Sequence, residues 1–176
     1  MKDLLILGTG VHALEMVEIV ERVNRVAPTW NLVGLITAEE KQVGQTLNQA
    51  LVVGMPGNWS RYPQAALVPS LADLRAMGDV PIERCVSLID PTTFISRTAT
   101  IGRGCVFYPH CFVGLNARVD DFVFCMTGSV INHDDVIGRG TAITSGVQLA
   151  GSVTVEPDCY LGQACTVRQL LRIGRH

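Results

Sequence analysis

Gly128-Ser129-Val130-Ile131-Asn132-His133-Asp134-Asp135-Val136-Ile137-Gly138 carries the pattern that organises half of the chain. Ile131 and Ile137 stand six residues apart, and the same spacing runs on in both directions. Ile89, Ile95, Ile101, Phe107, Val113, Val119 and Cys125 lie before; Ile143, Leu149, Val155, Leu161, Val167 and Ile173 lie after. Every sixth position over that span is apolar. A second column, four residues on, is mostly small: Ala99, Cys105, Cys111, Ala117, Val123, Ser129, Thr141, Val147, Val153, Cys159 and Cys165. Gly follows the apolar residue in Ile101-Gly102, Val113-Gly114, Ile137-Gly138, Leu161-Gly162 and Ile173-Gly174. A fixed short period means one structural unit stacked on copies of itself, and a period of six predicts a parallel β-helix.

These hexads resemble those of the hexapeptide-repeat acyltransferases. The resemblance implies a left-handed β-helix of triangular cross-section, with three hexads per 18-residue coil. The large and the small residue of each hexad then both point into a narrow prism, where voids and overlaps alike cost stability.

Composition bounds the rest. The 176 residues suffice for one or two small domains. Hydrophobic residues make up 48%, yet no apolar run approaches the ~18 residues of a membrane span. Met1-Lys2-Asp3-Leu4 opens no cleavable signal, because its apolar run ends in Gly8-Thr9-Gly10. A cytoplasmic protein is expected. Net charge is -2, from 14 basic and 16 acidic residues without a basic block, so no nucleic-acid partner is expected. The six cysteines form no CxxC and no zinc-type pairing with His. Five (Cys105, Cys111, Cys125, Cys159, Cys165) take inward positions. Cys105 and Cys159 share a column but lie three coils apart, roughly 14 Å, as do Cys111 and Cys165, too far for a disulfide. They read as small core filler in a reducing compartment.

Residues 1–84 follow another pattern. Leu4-Leu5-Ile6-Leu7 reads as a strand, Gly8-Thr9-Gly10 as a turn, and Ala13–Val26 as an amphipathic helix with Leu14, Val17, Val20 and Val23 apolar. Asn31–Ile36 is a second strand, Gln45–Asn48 a loop before Leu51–Gly54, and Met55–Pro63 a loop rich in Gly and Pro. Ala65–Val68 follows as a strand, with Ser70 capping a helix through Met77. This is a small Rossmann-like α/β domain, 1–84, ahead of a β-helix domain, 85–176. Gly8-Thr9-Gly10-Val11-His12-Ala13 fits the GxGxxA form of the dinucleotide fingerprint, whose helix N-terminus attracts phosphate. No acidic residue closes the second strand, which ends Ile36-Thr37-Ala38. NAD, a purely structural turn and a nucleotide-linked sugar all stay open as readings.

The order of parts resembles a narrower family. A short Rossmann-like domain whose Gly-rich turn carries a His, followed directly by hexapeptide coils, is similar to the sialic acid and bacillosamine O/N-acetyltransferases. Asp90-Pro91 and Val130–Gly138 carry the likeness best. It implies an acetyl-CoA-dependent acetyltransferase acting on a sugar or a nucleotide-linked amino sugar such as a UDP-sugar, assembled as a homotrimer, with no metal. It places the catalytic base at His133 and its acidic partner at Asp134. It places the acetyl donor against Gly151 and beside Ala142, and the sugar at the turn of Gly8, Gly10 and His12. The sequence departs from that family at Val11 and Ala13, which flank the His in place of Gly, and at Ala142, which replaces a second His. It also ends in mid-hexad at Ile173-Gly174-Arg175-His176, as a shortened chain would.

The chemistry fits those residues. A nucleophilic amine or hydroxyl loses a proton as it attacks a thioester, and an imidazole titrates in the right range to take it. Stepping 18 residues from His133 leads to Leu115 and Gly151. A glycine there would leave a slot beside the imidazole for the acetyl carbonyl. From the residues alone His133 reads equally as a surface turn residue, and the resemblance selects the base. His110 reads as a turn residue, and His12 as a sugar ligand or a helix-start cap. Two other readings remain. A zinc hydratase on this fold would need three converging His, and only His110, His133 and His176 are offered. A non-catalytic sugar-nucleotide-binding or scaffold module is the alternative that a truncated chain would leave.

Overall fold

The computed structural model describes residues 1–71 and 77–174. The chain forms two compact units, Met1–Leu88 and Ile89–His176. The helix expected from Ser70 through Met77 lies outside the described residues.

In the first unit, β1 (Lys2–Leu7) leads into α1 (Val11–Val26), which returns to β2 (Trp30–Ile36). β3 (Thr46–Leu47), β4 (Ala50–Gly54) and β5 (Ala66–Pro69) complete one sheet in the order β3-β4-β2-β1-β5. β2 and β5 both pair with β1 in parallel, and β4 pairs with β2 in parallel. A strand paired on both sides and covered on both faces reads as an unbroken apolar run. Leu4, Leu5, Ile6 and Leu7 are fully buried accordingly. Each such side chain contributes about 1.5–3 kcal/mol by leaving water.

α1 begins at Val11, two residues before its sequence-expected start. Its buried face is Ala13, Met16, Val17, Ile19 and Val20, while Leu14 and Val23 are only half-buried. The apolar stripe is therefore turned by about one position from the expected one. Half of the expected loop Gln45–Asn48 is strand. Thr46 pairs with Leu51 and Leu47 with Ala50 in an antiparallel hairpin closed by Asn48 and Gln49, both at positive φ. A two-residue turn with both residues left-handed matches the twist of the strands it joins, and Asn tolerates that conformation. Met55–Pro63 encloses a short 3-10 turn, Asn58–Arg61, that buries Trp59.

The second unit is the β-helix that the hexads predict. Its strands are two residues long and form three parallel sheets of five strands each, one per face of the prism. Strand neighbours are 18 residues apart: Phe112 pairs with Phe94 and Val130, and Val119 with Ile101 and Ile137. The two apolar columns fill the interior. Phe107, Val113, Ile131, Ile137 and Ile143 are fully buried, as are Cys105, Ala117, Val123 and Cys125. All six cysteines are free thiols, and Cys165 is only partly buried.

Three of the glycines that follow the large residues, Gly102, Gly114 and Gly138, have a steric cause. A Cβ on Gly114 would lie 2.7 Å from the His133 nitrogen, and one on Gly102 would lie 2.6 Å from the Asp121 nitrogen. The coil above passes too close for any side chain. A second corner position, also repeating every six residues, adopts positive φ. Gly104, His110, Asn116, Phe122, Gly128, Asp134, Gly140 and Gly146 share it. Its amide reaches the carbonyl of the coil below, as Asp134 N–H does to Leu115 (2.8 Å) and Gly140 N–H to Asp121 (3.0 Å).

Candidate active site

His133 and Asp134 occupy one corner of the prism, between the strands Val130–Ile131 and Val136–Ile137. The left-handed backbone at Asp134 (φ +60°) turns its carboxylate back toward the preceding residue. His133 Nδ1 lies 2.8 Å from Asp134 Oδ2. Asn116, in the same corner column one coil below, donates to Asp134 Oδ1 at 3.1 Å. These two hydrogen bonds, that from His133 first, hold the Asp134 carboxyl below the usual carboxylate range. The pair is solvent-accessible, with side-chain exposures of 58% and 50%. With Nδ1 facing a carboxylate, the free ring nitrogen is Nε2, which can take up a proton.

The Leu115–His133–Gly151 stack is realised through the backbone. Asp134 N–H binds the Leu115 carbonyl, and Ser152 N–H binds the His133 carbonyl at 2.9 Å. The expected slot, however, is taken by the imidazole itself. The ring leans over Gly151, and a Cβ there would overlap Cε1 and Nε2. Gly151 is buried, and its own N–H finds no acceptor among the described residues.

A groove of about 420 Å³ opens next to Asp134, lined by Thr98, Thr100, Asn116, Arg118, Asp134 and Val136. Arg118 gives it one guanidinium. Ala142 is not brought to this corner within one chain. It opens a strand on the third face, paired with Phe124 and Tyr160.

Asp135 was not among the sequence candidates, although it stands in the inward column of small residues. Its carboxyl is fully buried and accepts the N–H groups of Asn132 (2.7 Å) and Val153 (2.8 Å). Burial pushes its pKa up to about 6. A charged residue in a column of Ala, Cys, Ser, Thr and Val was the available signal.

In the first unit the Gly8–His12 segment follows β1 and opens α1. Gly8 takes φ +139°, a conformation reserved for glycine, and its N–H binds the Ile36 carbonyl at 2.8 Å. Gly10 is the N-cap residue of α1, without a side-chain cap. His12 caps nothing. Its Nδ1 lies 3.2 Å from Glu15 Oε2, one turn along the helix. At the end of β2, Thr37 is fully buried, and its hydroxyl, the Thr9 hydroxyl and the Gln42 side-chain oxygen lie within 3.0 Å of one another. Gln42 thus brings a neutral polar group to the strand end that lacks an acid. Its position, five residues past Thr37 on a 3-10 turn, carried no sequence signal.

Solved structures share this architecture over nearly the whole chain. A variant of GDP-perosamine N-acetyltransferase from Caulobacter crescentus, in complex with CoA and GDP-perosamine, superposes with a TM-score of 0.75 at 16% identity, covering 98% of this chain and 91% of that one. The acetyltransferase domain of PglB from Neisseria gonorrhoeae FA1090, in complex with acetyl coenzyme A, gives 0.68 at 17% identity over 94% and 92%. The fold is theirs. Among curated proteins, the acyl-[acyl-carrier-protein]–UDP-N-acetylglucosamine O-acyltransferase of Agrobacterium fabrum is 43% identical over 56 residues, which are 32% of this chain and 20% of that protein. This chain therefore matches only a fifth of that relative's length. No family model matches the sequence. Among the described residues no helix is long and apolar enough to cross a membrane, and no three His, Cys, Asp or Glu side chains gather as a metal site.

Proposed function

We propose that the chain is an acetyl-CoA-dependent acetyltransferase acting on a sugar or nucleotide-linked amino sugar, with His133 as general base. The observation that carries the reading is the exposed His133–Asp134 pair set against Gly151. It lies on a β-helix shared with two acetyltransferases, one solved with CoA and GDP-perosamine and the other with acetyl coenzyme A.

His133 Nε2 takes the proton that the acceptor nitrogen or oxygen loses as it bonds to the acetyl carbon. Asp134, on Nδ1, holds the ring in the tautomer that leaves Nε2 free and stabilises the imidazolium. The Gly151 N–H, with no acceptor among the described residues, is the donor for the carbonyl oxygen as it gains charge. When the carbon–sulfur bond breaks, His133 returns its proton to the departing thiolate. In the groove that Arg118 shares with Asp134, the guanidinium is the group that would meet an anionic part of CoA or of a sugar nucleotide.

In the first unit, which we read as Rossmann-like, the Gly8–Gly10 turn and the N-terminus of α1 hold the nucleotide's phosphate, and His12 faces the sugar. We read the solenoid as left-handed, the assembly as a homotrimer, and the compartment as cytoplasmic. The domains divide as residues 1–84 for the sugar nucleotide and 85–176 for acyl transfer. Ala142, on another face than His133, belongs to the donor site of a neighbouring copy in that trimer.

The test is release of free CoA thiol from acetyl-CoA in the presence of UDP- and GDP-linked amino sugars, with light scattering on the same sample. Thiol release that depends on the acceptor and is lost in His133→Ala supports the reading. Absence of release from a trimeric, folded chain overturns it.

A further inference from the structure

Every inward residue of the β-helix but one is neutral. Asp135 stands in the small column between Ser129 and Thr141, with Ala117 and Val153 stacked below and above it. It is fully buried. Both of its oxygens are engaged, and by two different coils. Oδ2 accepts from Asn132 N–H at 2.7 Å, and Oδ1 accepts from Val153 N–H at 2.8 Å. Asn132 begins the turn that carries the His–Asp pair, and its side-chain oxygen accepts the His133 N–H at 2.8 Å. Val153 closes the turn of Gly151 and Ser152, against which the imidazole rests.

We propose that Asp135 is a positioning residue for acetyl transfer: from inside the prism its carboxylate clamps the 132–134 turn to the 151–153 turn and so fixes His133 relative to Gly151. This rests on His133 being the base. The chemistry explains why an acid stands where the column otherwise holds Ala, Cys, Ser, Thr or Val. Two amide donors from two coils need two acceptor atoms at fixed separation. A hydroxyl offers one oxygen, whereas an ionised carboxylate offers two and no competing proton. The groups that act on it electrostatically are His133, which favours its charge, and Asp134, which opposes it. Burial opposes its charge most of all. A side chain kept ionised against desolvation, where a neutral one would fit, fits a site that gives up stability for function.

Asp135→Asn tests the clamp in the full chain, because the amide keeps the shape and loses one acceptor. Expected is a fall in kcat of about 10- to 100-fold, with KM for both substrates changed by no more than about 2-fold, the signature of a misplaced base. A second measurement does not depend on turnover. In His133→Ala, which removes the imidazole titration, the amide resonances of Asn132 and Val153 should shift together with one midpoint near pH 6. If His133→Ala retains full turnover, the base assignment fails and the clamp has nothing to position. If His133→Ala is inactive while Asp135→Asn turns over at the wild-type rate, the clamp alone is overturned. Should Asp135→Asn fail to fold, the resonances decide, and separate or absent titrations of the two amides overturn the proposal.

Discussion

The two units each present a histidine beside a carboxylate, but they hold it differently. On the β-helix, His133 and Asp134 are sequence neighbours at 2.8 Å, and Asn116 fixes the acid from the coil below. On α1, His12 and Glu15 meet across a helical turn at 3.2 Å, the geometry of an ordinary i,i+3 surface pair. A stacked repeat places every third hexad directly above the last, so a functional corner inherits partners from the coils above and below. An exposed helix face offers a side chain first its own neighbours three and four residues along. The repeat is therefore the better platform for a preorganised base, and the Gly turn of the first unit for binding through backbone amides.

The largest effect should come from the corner. His133→Ala should lower turnover at least ~10²-fold. Its melting temperature should stay within about 2 °C of wild type, because an exposed ring adds little to stability. Thiol release and thermal melting on the same preparation check both halves, and a variant with unchanged turnover would remove the contrast between the two histidines.

Two glycines of the repeat separate function from packing. Gly151→Ala forces only a flexible imidazole aside. Turnover should fall about 10-fold or more while the fold holds. Gly138→Ala drives a methyl into the Pro157 and Glu156 backbone, which cannot move alone, and should cost about 2 kcal/mol. Urea titration of the pair would contradict this if both lost equal stability.

The buried acid gives the repeat a pH dependence of its own. Asp135 binds its proton more tightly in the native state than in the unfolded chain. Its stabilising contribution is complete below pH ~4 and is lost as pH rises through about 6. The full swing is about 3 kcal/mol. Wild type should gain melting temperature between pH 7 and pH 5 relative to Asp135→Asn, and parallel curves would show that this carboxyl does not titrate there.

The smallest effect belongs to the first unit. His12→Ala should raise KM for the nucleotide sugar about 3- to 10-fold, the worth of one hydrogen bond, with kcat little changed. Isothermal titration with UDP- and GDP-sugars checks it, and unaltered affinity would remove His12 from the sugar site.

Much of this was readable from residue order where the period is strict. The large and small columns, the glycines after the apolar residues and the His133 stack all follow from stepping by 18, because each coil contacts only its neighbours. Even the Asn116–Asp134 bond lay in that arithmetic, one coil apart in a column rich in Gly, Asn and Asp. The first unit yielded less. The Asn48-Gln49 hairpin passed for a loop, and the face of α1 was set one position away, because its helix packs on a sheet assembled from distant segments.

What the sequence determined by itself was the address of each side chain along the prism, since a fixed period sets each residue directly above its counterpart 18 residues earlier. What the tertiary structure decided was how neighbouring coils use the space between them. The imidazole covers Gly151 instead of standing beside it. The carboxylate of Asp135 turns inward to join two turns 18 residues apart. The ends of β1 and β2 close through Thr9, Thr37 and Gln42. Each depends on side-chain directions and on hydrogen-bond partners supplied by other segments, which no pattern along a single segment contains.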